Sequence, residues 1–121
     1  MEAGQLVERY LDTWNETDPH DRSEALAAVW TEDASYVDPL AMVEGRDQIA
    51  ALIGAVQQQA PGHVFRLLDG IDAHHNVLRF RWELVPESGG ESVAVGFDVA
   101  ETDDDGRIAC VVGFLDKAPA A

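Results

Sequence analysis

The spacing of hydrophobic residues predicts three helices in the first half of the chain. Asp18 and Pro19 have the composition of an N-cap followed by proline at the first helical position, so a second helix is expected to begin there. A third helix is expected to open at Gly45 and to end before Pro61, which cannot continue it. The apolar positions that repeat at helical spacing are Leu6, Val7, Tyr10, Leu11 and Trp14 in the first helix, Leu26, Val29 and Trp30 in the second, and Ile49, Leu52, Ile53 and Val56 in the third.

Extended segments account for most of the remaining chain. A short strand is expected over 34–37, ending at Asp38 and Pro39, and a further extended piece over 41–44. After the third helix, longer runs separated by turn compositions such as Asp105-Gly106 are predicted to be strands of a meander. These runs are 63–68, 77–85, 93–99 and 108–115. Helices followed by a meander indicate one α+β domain over residues 1–121, with the helices covering one face of the sheet.

Composition restricts the partners of the protein. With 8 basic and 23 acidic residues the formal net charge is -15, which repels phosphate backbones and anionic lipids, so neither a nucleic acid nor a membrane is expected as a partner. The single cysteine, Cys110, excludes an internal disulfide, and no basic start leads into an apolar signal segment, so we expect a cytoplasmic protein. Because no set of side chains has metal-ligand spacing and no phosphate-binding glycine loop is present, no metal or cofactor is expected.

Three polar side chains stand out against the apolar pattern. Tyr10 lies on the apolar face of the first helix, and Asp38 ends the first strand on the same side as Tyr36, because side chains alternate along a strand. Asp98 lies in the middle of a strand with two unlike faces. One face carries Val93, Val95, Phe97 and Val99, and the other carries Ser92, Ala94, Gly96 and Ala100 around the acid. Space beside a lone carboxyl, which a close-packed core would not leave, indicates a ligand.

Each of these residues also has a purely structural interpretation. Tyr10 fits an ordinary buried tyrosine, and Asp38 before Pro39 is typical of a turn in which the carboxyl bonds its own backbone. Asp98 would face solvent if the strand turned its other face to the helices. His63, at the start of a strand, is a further candidate for contact with a ligand at the mouth of the pocket.

The order of the elements and three local stretches resemble the nuclear transport factor 2-like superfamily, and within it ketosteroid isomerase. The stretches are Val7-Glu8-Arg9-Tyr10-Leu11, Asp33-Ala34-Ser35-Tyr36-Val37-Asp38-Pro39 and Gly96-Phe97-Asp98-Val99. The resemblance implies a cone-shaped α+β fold, with three N-terminal helices packed on a curved, mostly antiparallel sheet. It also implies that Tyr10 is an oxyanion-hole donor, Asp38 the catalytic base and Asp98 a second donor kept neutral by its apolar site.

The function that this resemblance implies is cofactor-free acid/base catalysis on an apolar polycyclic carbonyl compound, by proton abstraction and enolate stabilisation. The SnoaL-like polyketide cyclases resemble the chain equally well and are the alternative, together with a non-catalytic module that binds a small molecule or dimerises. Limonene epoxide hydrolase shares the scaffold but uses an Asp–Arg–Asp arrangement, whereas Arg79 and Arg81 are expected on the outer face of the sheet or across a dimer interface. The resemblance also implies a homodimer that covers the convex side of the sheet. The residues expected to line the pocket are Trp14, Trp30, Tyr36, Met42, His63 and Trp82.

Overall fold

A computed structural model describes residues 2–118 of the chain. Helices and strands follow one another in this part in the order that the hydrophobic pattern predicts. The helices are α1 (Ala3–Asn15), α2 (Pro19–Val29) and α3 (Arg46–Gln59). The strands are β1 (Trp30–Asp38), β2 (Ala41–Glu44), β3 (His63–His74), β4 (Val77–Pro86), β5 (Ala94–Thr102) and β6 (Ile108–Lys117).

The strands form one 6-stranded sheet in the order β2-β1-β6-β5-β4-β3. β1 runs parallel to β6, and the other neighbouring pairs are antiparallel. The helices cover the inner face, where α1 contacts β3, and α2 and α3 contact β1. The fold is therefore the α+β cone predicted from the sequence, with three N-terminal helices on a mostly antiparallel sheet. Within residues 2–118, no helix is long and apolar enough to cross a membrane.

An aromatic cluster at the centre of the core joins the first helix to the sheet. The ring of Tyr10 lies 5.4 Å from that of Trp30 and 5.3 Å from that of Phe80. All three side chains are buried, and removing a ring of this size from water stabilises the fold by about 2 kcal/mol. The packing holds α1 against β1 and β4 at the level where Tyr10 enters the sheet.

The largest differences from the predicted strand boundaries are at the start of β1 and at the end of β3. β1 begins at Trp30, earlier than the predicted start at residue 34, because the Trp30 backbone already pairs with Ile108 of β6. Trp30 therefore belongs to the sheet and not to the apolar stripe of α2. β3 continues to His74, into the segment that was predicted as a turn. The pairing with β4 is irregular around Asp69, and Gly70 has a positive φ of 70°. These irregularities let the strand continue through a polar sequence that has no alternation of apolar residues.

Buried polar side chains hold the three helices together. Arg22 donates from Nε to the carbonyl oxygen of Glu16 at 3.0 Å and from Nη2 to Oε1 of Gln57 at 2.6 Å. Gln57 in turn donates from Nε2 to the carbonyl oxygens of Trp14 at 2.9 Å and Glu16 at 2.8 Å. Because the last carbonyls of a helix lack partners within it, these bonds complete the C-terminus of α1 and attach it to α2 and α3.

Asn15 attaches the end of α1 to the edge of the sheet. Its side-chain oxygen accepts from the backbone N–H of Phe65 at 2.7 Å, and its amide donates to the Phe65 carbonyl oxygen at 2.9 Å. β3 is an edge strand, so one side of its backbone has no strand partner. The side chain of Asn15 thus makes the two hydrogen bonds that a residue of a neighbouring strand would make. It also sets the position of the adjacent Trp14.

Replacing Asn15 by Ala should lower the free energy of unfolding by roughly 1–3 kcal/mol, because two backbone groups of Phe65 lose their partners. Urea denaturation measures the difference. Asp12→Ala, at an exposed position of the same helix, is the matched control and should change the stability by less than about 0.5 kcal/mol. Equal effects of the two substitutions would contradict this role for Asn15.

Candidate active site

A cavity of about 520 Å³ opens between α1, the end of α3 and the inner face of the sheet. This volume suits a drug-sized molecule. Of the residues selected from the sequence, the cavity brings together Tyr10, Trp14, Tyr36, Asp38, His63, Trp82 and Asp98. Apolar side chains that the sequence did not single out complete the wall, among them Leu11, Leu40, Val56, Phe65, Leu84 and Leu115.

Two residues expected at the pocket lie elsewhere. Trp30, as the first residue of β1, is fully buried in the core behind Tyr10 and Tyr36, whose rings it contacts, and it does not line the cavity. Met42 lies on β2 at the edge of the sheet, where strand alternation turns its side chain outward and leaves it 81% exposed. His63 is half-buried at the cavity wall, with Nδ1 3.0 Å from the Pro61 carbonyl oxygen.

Asp98 faces the cavity because β5 turns its small residues inward. Ala94, Gly96 and Ala100, which share its face, are buried. The larger side chains on the opposite face of the strand, Val95, Phe97 and Val99, are only half-buried. The carboxyl itself is 2% exposed, so the interpretation in which it points to solvent does not describe this structure.

Tyr10 and Asp98 form a buried hydrogen-bonded pair in which the Tyr10 hydroxyl donates to Oδ2 at 2.9 Å. Burial raises the pKa of Asp98 to about 6. The hydrogen bond from Tyr10 works against this rise, and the charge of Asp38 adds to it. Burial and the charge of Asp98 also raise the pKa of Tyr10 well above its ordinary value, so the phenol stays a donor. At pH 7 the ionised form of Asp98 then outnumbers the neutral form by roughly ten to one.

The other oxygen of Asp98, Oδ1, has no hydrogen-bond partner among residues 2–118. Asp98 pairs directly with Gly113 of β6, and a Cβ at position 113 would lie 2.7 Å from Oδ1. The missing side chain of Gly113 therefore provides the space that this oxygen occupies. No local sequence pattern predicts this, because it depends on which residue of β6 lies opposite Asp98. A buried acceptor without a protein partner needs an explanation, and a functional role is one of those found at such positions.

Asp38 and Tyr36 form a second carboxyl–phenol pair in the cavity wall. The Tyr36 hydroxyl donates to Oδ2 of Asp38 at 2.6 Å, while Oδ1 accepts from the backbone N–H groups of Leu40 at 2.8 Å and Ala41 at 2.9 Å. Asp38 therefore closes the turn after β1 and lines the cavity at the same time. Burial raises the pKa of Tyr36 far above its ordinary value. The spacing of the two residues along a strand predicts a shared side, and the structure adds the bond between them.

Other clusters of charge lie away from the cavity. His20, Asp21 and Glu24 bring possible metal ligands together on the exposed side of α2, and none of them lines the cavity. Arg79 and Arg81 lie on the outer face of the sheet, where they pair with acidic side chains. Along the wall described by residues 2–118 no arginine joins the two carboxyls, so the Asp–Arg–Asp arrangement is not formed there.

Solved structures share the fold. An isomerase candidate of the SnoaL-like family from Agrobacterium tumefaciens is 43% identical over 93% of this chain and 95% of that one, with a TM-score of 0.87. A polyketide cyclase candidate from Sinorhizobium meliloti is 21% identical over 90% of this chain and 93% of that one (TM-score 0.69). An LEH-like epoxide hydrolase from Mycobacterium tuberculosis is 20% identical over 93% and 80%, respectively (TM-score 0.64). Among curated proteins, no sequence matches the chain.

These likenesses define the class of the protein as the nuclear transport factor 2-like fold. The family model of the SnoaL-like domain matches residues 7–111, a span that contains Tyr10, Asp38 and Asp98. The chain belongs to the SnoaL-like family.

Replacing Asp98 by Asn should stabilise the protein at neutral and alkaline pH. Because the fold raises the pKa of Asp98 from 3.8 to about 6, it favours the neutral carboxyl. The contribution of the neutral Asp98 carboxyl to the free energy of unfolding is complete below pH 3.8, the pKa of this group in the unfolded chain. It is lost as the pH rises through about 6, the pKa in the folded protein. The stability difference between the variant and wild type should therefore be small near pH 4 and reach about 3 kcal/mol near pH 8.

Urea denaturation of both proteins across this pH range measures the difference. Asp104→Asn, which removes an exposed acid, is the control and should change the stability by less than about 0.5 kcal/mol. A constant difference for Asp98→Asn would contradict the raised pKa.

Proposed function

We propose that the protein is a cofactor-free acid/base enzyme that removes a proton next to the carbonyl group of an apolar ring compound and stabilises the resulting enolate. The observation that carries this proposal is the Asp98 carboxyl, which is 2% exposed, has a pKa raised to about 6 and faces a cavity of about 520 Å³. A pocket that only held an apolar molecule would gain nothing from a buried carboxylate, because burying its charge costs free energy.

Asp98 is the group to which we assign proton transfer. A pKa near the working pH combines a large ionised fraction with a strong tendency to accept a proton. Oδ2 is held by the Tyr10 hydroxyl, and Oδ1 lies buried beside Gly113 without a partner in the described part of the chain, so the carboxyl is held in one orientation at the cavity wall. Accepting that proton also removes a charge from apolar surroundings, which favours the step.

The proposed chemistry begins when the C–H bond beside the carbonyl breaks, its electron pair forms the enolate and its proton passes to Asp98. The enolate oxygen accepts a hydrogen bond from the hydroxyl of Tyr10 or Tyr36, both of which remain protonated in the cavity wall. Each hydroxyl has a single proton, so the one that bonds the enolate releases the carboxyl that it bonds in the free protein. Return of the proton to another carbon completes an isomerisation. Attack of the enolate carbon on a second carbonyl, with the proton going to the new alkoxide, completes a ring closure.

Both outcomes have support among the structural relatives, since one is described as an isomerase candidate and another as a polyketide cyclase candidate. Proton abstraction beside a carbonyl is common to the two reactions. The proposal therefore commits to this first step.

The resemblance to ketosteroid isomerase assigns the roles the other way round, with Asp38 as the base and Asp98 as a neutral donor, and that assignment stays a prediction. Two observations bear on it. Asp38 has hydrogen-bond partners at both oxygens, which favours a role in orienting Tyr36. An apolar ligand that expelled water would raise the pKa of Asp98 further, which is the condition that a neutral donor needs.

Exchange of the α-protons of 2-tetralone in D₂O, followed by NMR, tests the proton abstraction step directly. Wild type should accelerate the exchange, with a rate that increases as the pH rises through about 6, because the base must be ionised. Asp98→Asn should lower the rate by about 10²-fold or more, and Asp38→Asn by about tenfold or less. The reverse order of the two effects would assign the base to Asp38.

Isomerisation of a β,γ-unsaturated ketosteroid, followed by the absorbance of the conjugated enone, then distinguishes the two reactions. Turnover assigns an isomerase, whereas exchange without isomerisation favours a cyclase. A wild type that binds 2-tetralone without accelerating exchange would overturn the enzyme proposal and leave a small-molecule binding module.

We also propose that the protein forms a homodimer through the outer face of β5 and β6. Phe114 is 53% exposed and Val112 36% exposed there, opposite the half-buried Phe97 and Val99. Arg81 lies beside Phe97 across β4 and β5, and its charge is balanced there by Asp69 and Asp116. An exposed apolar patch whose neighbouring charges are already paired can be covered by a second copy without bringing unpaired acidic groups together, although the net charge of each chain is -15.

Phe114→Glu should convert the dimer to a monomer, because a carboxylate would be buried against the apolar patch of the partner. Sedimentation velocity measures the change. Met42→Glu, at an exposed position on the edge strand β2, is the control and should leave the dimer intact. A monomeric wild type at micromolar concentration would overturn the proposal.

A further inference from the structure

Trp82 occupies space over the sheet that only a glycine leaves open. Trp82 of β4 and Gly96 of β5 are direct partners in the sheet, and both face inward. A Cβ at Gly96 would lie 2.6 Å from Nε1 of the indole and closer still to Cζ2. Heavy atoms that are not bonded to each other do not approach this closely. The indole therefore lies directly over the Gly96 backbone. Small residues leave space on this face of β5, and at Gly96 the indole of Trp82 fills that space.

The same ring forms part of the cavity wall. Trp82 is 8% exposed and lines the cavity, and its ring meets Phe65 edge-on with 5.1 Å between centroids. Phe65 in turn packs on Trp14 at 5.5 Å. Because these aromatic rings already occupy that side, a displaced Trp82 ring has the cavity to move into. The position of the indole therefore sets how much of the cavity is free.

The indole also lies on the same face of the sheet as the candidate base. The atoms nearest to the Gly96 position are those of the nitrogen-bearing edge of the ring, and Asp98 follows two residues later on the same face of β5. A substrate that packs on the indole therefore lies on the face of the sheet that carries Asp98.

We propose that Trp82, held over Gly96 by the absence of a side chain there, determines the size of the fused-ring compound that the cavity accepts. The proposal rests on the proposed function in one respect, namely that the cavity holds the substrate. Trp82 is then the specificity-determining residue, and Gly96 is a positioning residue that acts through it. The ligand class is a flat, fused-ring carbonyl compound or enol, whose ring face packs on the indole.

Two fluorescent phenols that mimic an enol, 2-naphthol with two fused rings and 1-hydroxypyrene with four, test the size selection by titration. Trp82→Ala should shift the ratio of the two Kd values about tenfold in favour of 1-hydroxypyrene, because the missing indole enlarges the cavity. Gly96→Ala should shift the ratio in the opposite direction, because the added methyl group pushes the indole into the cavity. Val95→Ala, one position away on the outer face, is the control and should leave the ratio unchanged.

The double variant separates action through Trp82 from a general defect in folding. If Gly96 acts only through the indole, Gly96→Ala should leave the Kd ratio unchanged in the Trp82→Ala background, where the methyl group has room. Additive effects of the two substitutions would overturn the proposal. A wild type that binds neither phenol would overturn it as well.

Trp82→Phe, which keeps a smaller ring over Gly96, is the graded variant and should shift the Kd ratio in the same direction as Trp82→Ala by a smaller factor. A shift in the opposite direction would contradict the role assigned to the indole. None of these measurements depends on turnover, so a protein that selects ligands by size without exchanging α-protons would refute the enzyme proposal alone.

Discussion

The burial of one carboxyl is the constraint on which the rest of the cavity depends. An ionised carboxylate surrounded by apolar groups is costly, and the chain reduces the cost at Asp98 by a hydrogen bond from Tyr10 and by a pKa raised to about 6. Both responses require neighbours that leave space. Gly113 on β6 makes room for the free oxygen of the carboxyl, and Gly96 on β5 makes room for the indole that approaches it. The two glycines beside Asp98 are therefore part of the site.

The same constraint explains the polar contacts at the end of α1. The Tyr10 hydroxyl must meet Asp98 from a different layer of the fold, and a slip of one helical turn would move it by about 5.4 Å, farther than a hydrogen bond can stretch. Arg22 and Gln57 attach the end of α1 to the other helices, and Asn15 attaches it to β3. These residues do not touch the two carboxyls, yet they set the register that brings phenol and carboxyl together.

Local sequence signals predicted the features that depend on local physics. Helical spacing placed Tyr10 on the buried face of α1, and Asp18 accepts from the Asp21 backbone N–H as an N-cap should. The alternation of small and large residues along β5 predicted two unlike faces, and the small one holds Asp98 in the cavity. Patterns of this kind arise within one element, so the sequence carries them directly.

Features set by pairing between distant segments escaped prediction. Because β1 pairs in parallel with β6, the strand begins at Trp30 and the ring of this residue lies in the core. No sequence pattern near residue 30 predicts this pairing. Met42 was expected at the pocket because it is large and apolar, but its place on the edge strand turns it outward. The space beside Asp98 depends in the same way on which residue of β6 lies opposite, and the register puts Gly113 there.

The two carboxyl–phenol pairs have the same chemistry but different environments, and this difference separates their tasks. Asp38 lies at the end of a strand, where two backbone N–H groups and the Tyr36 hydroxyl stabilise its charge. Asp98 lies in the middle of a strand, with the Tyr10 hydroxyl on one oxygen and none on the other. An apolar ligand that displaces water from the cavity would remove solvation from both, but Asp38 would keep its three donors. The proton affinity of Asp98 would thus rise, which strengthens the proposed base when a substrate is present.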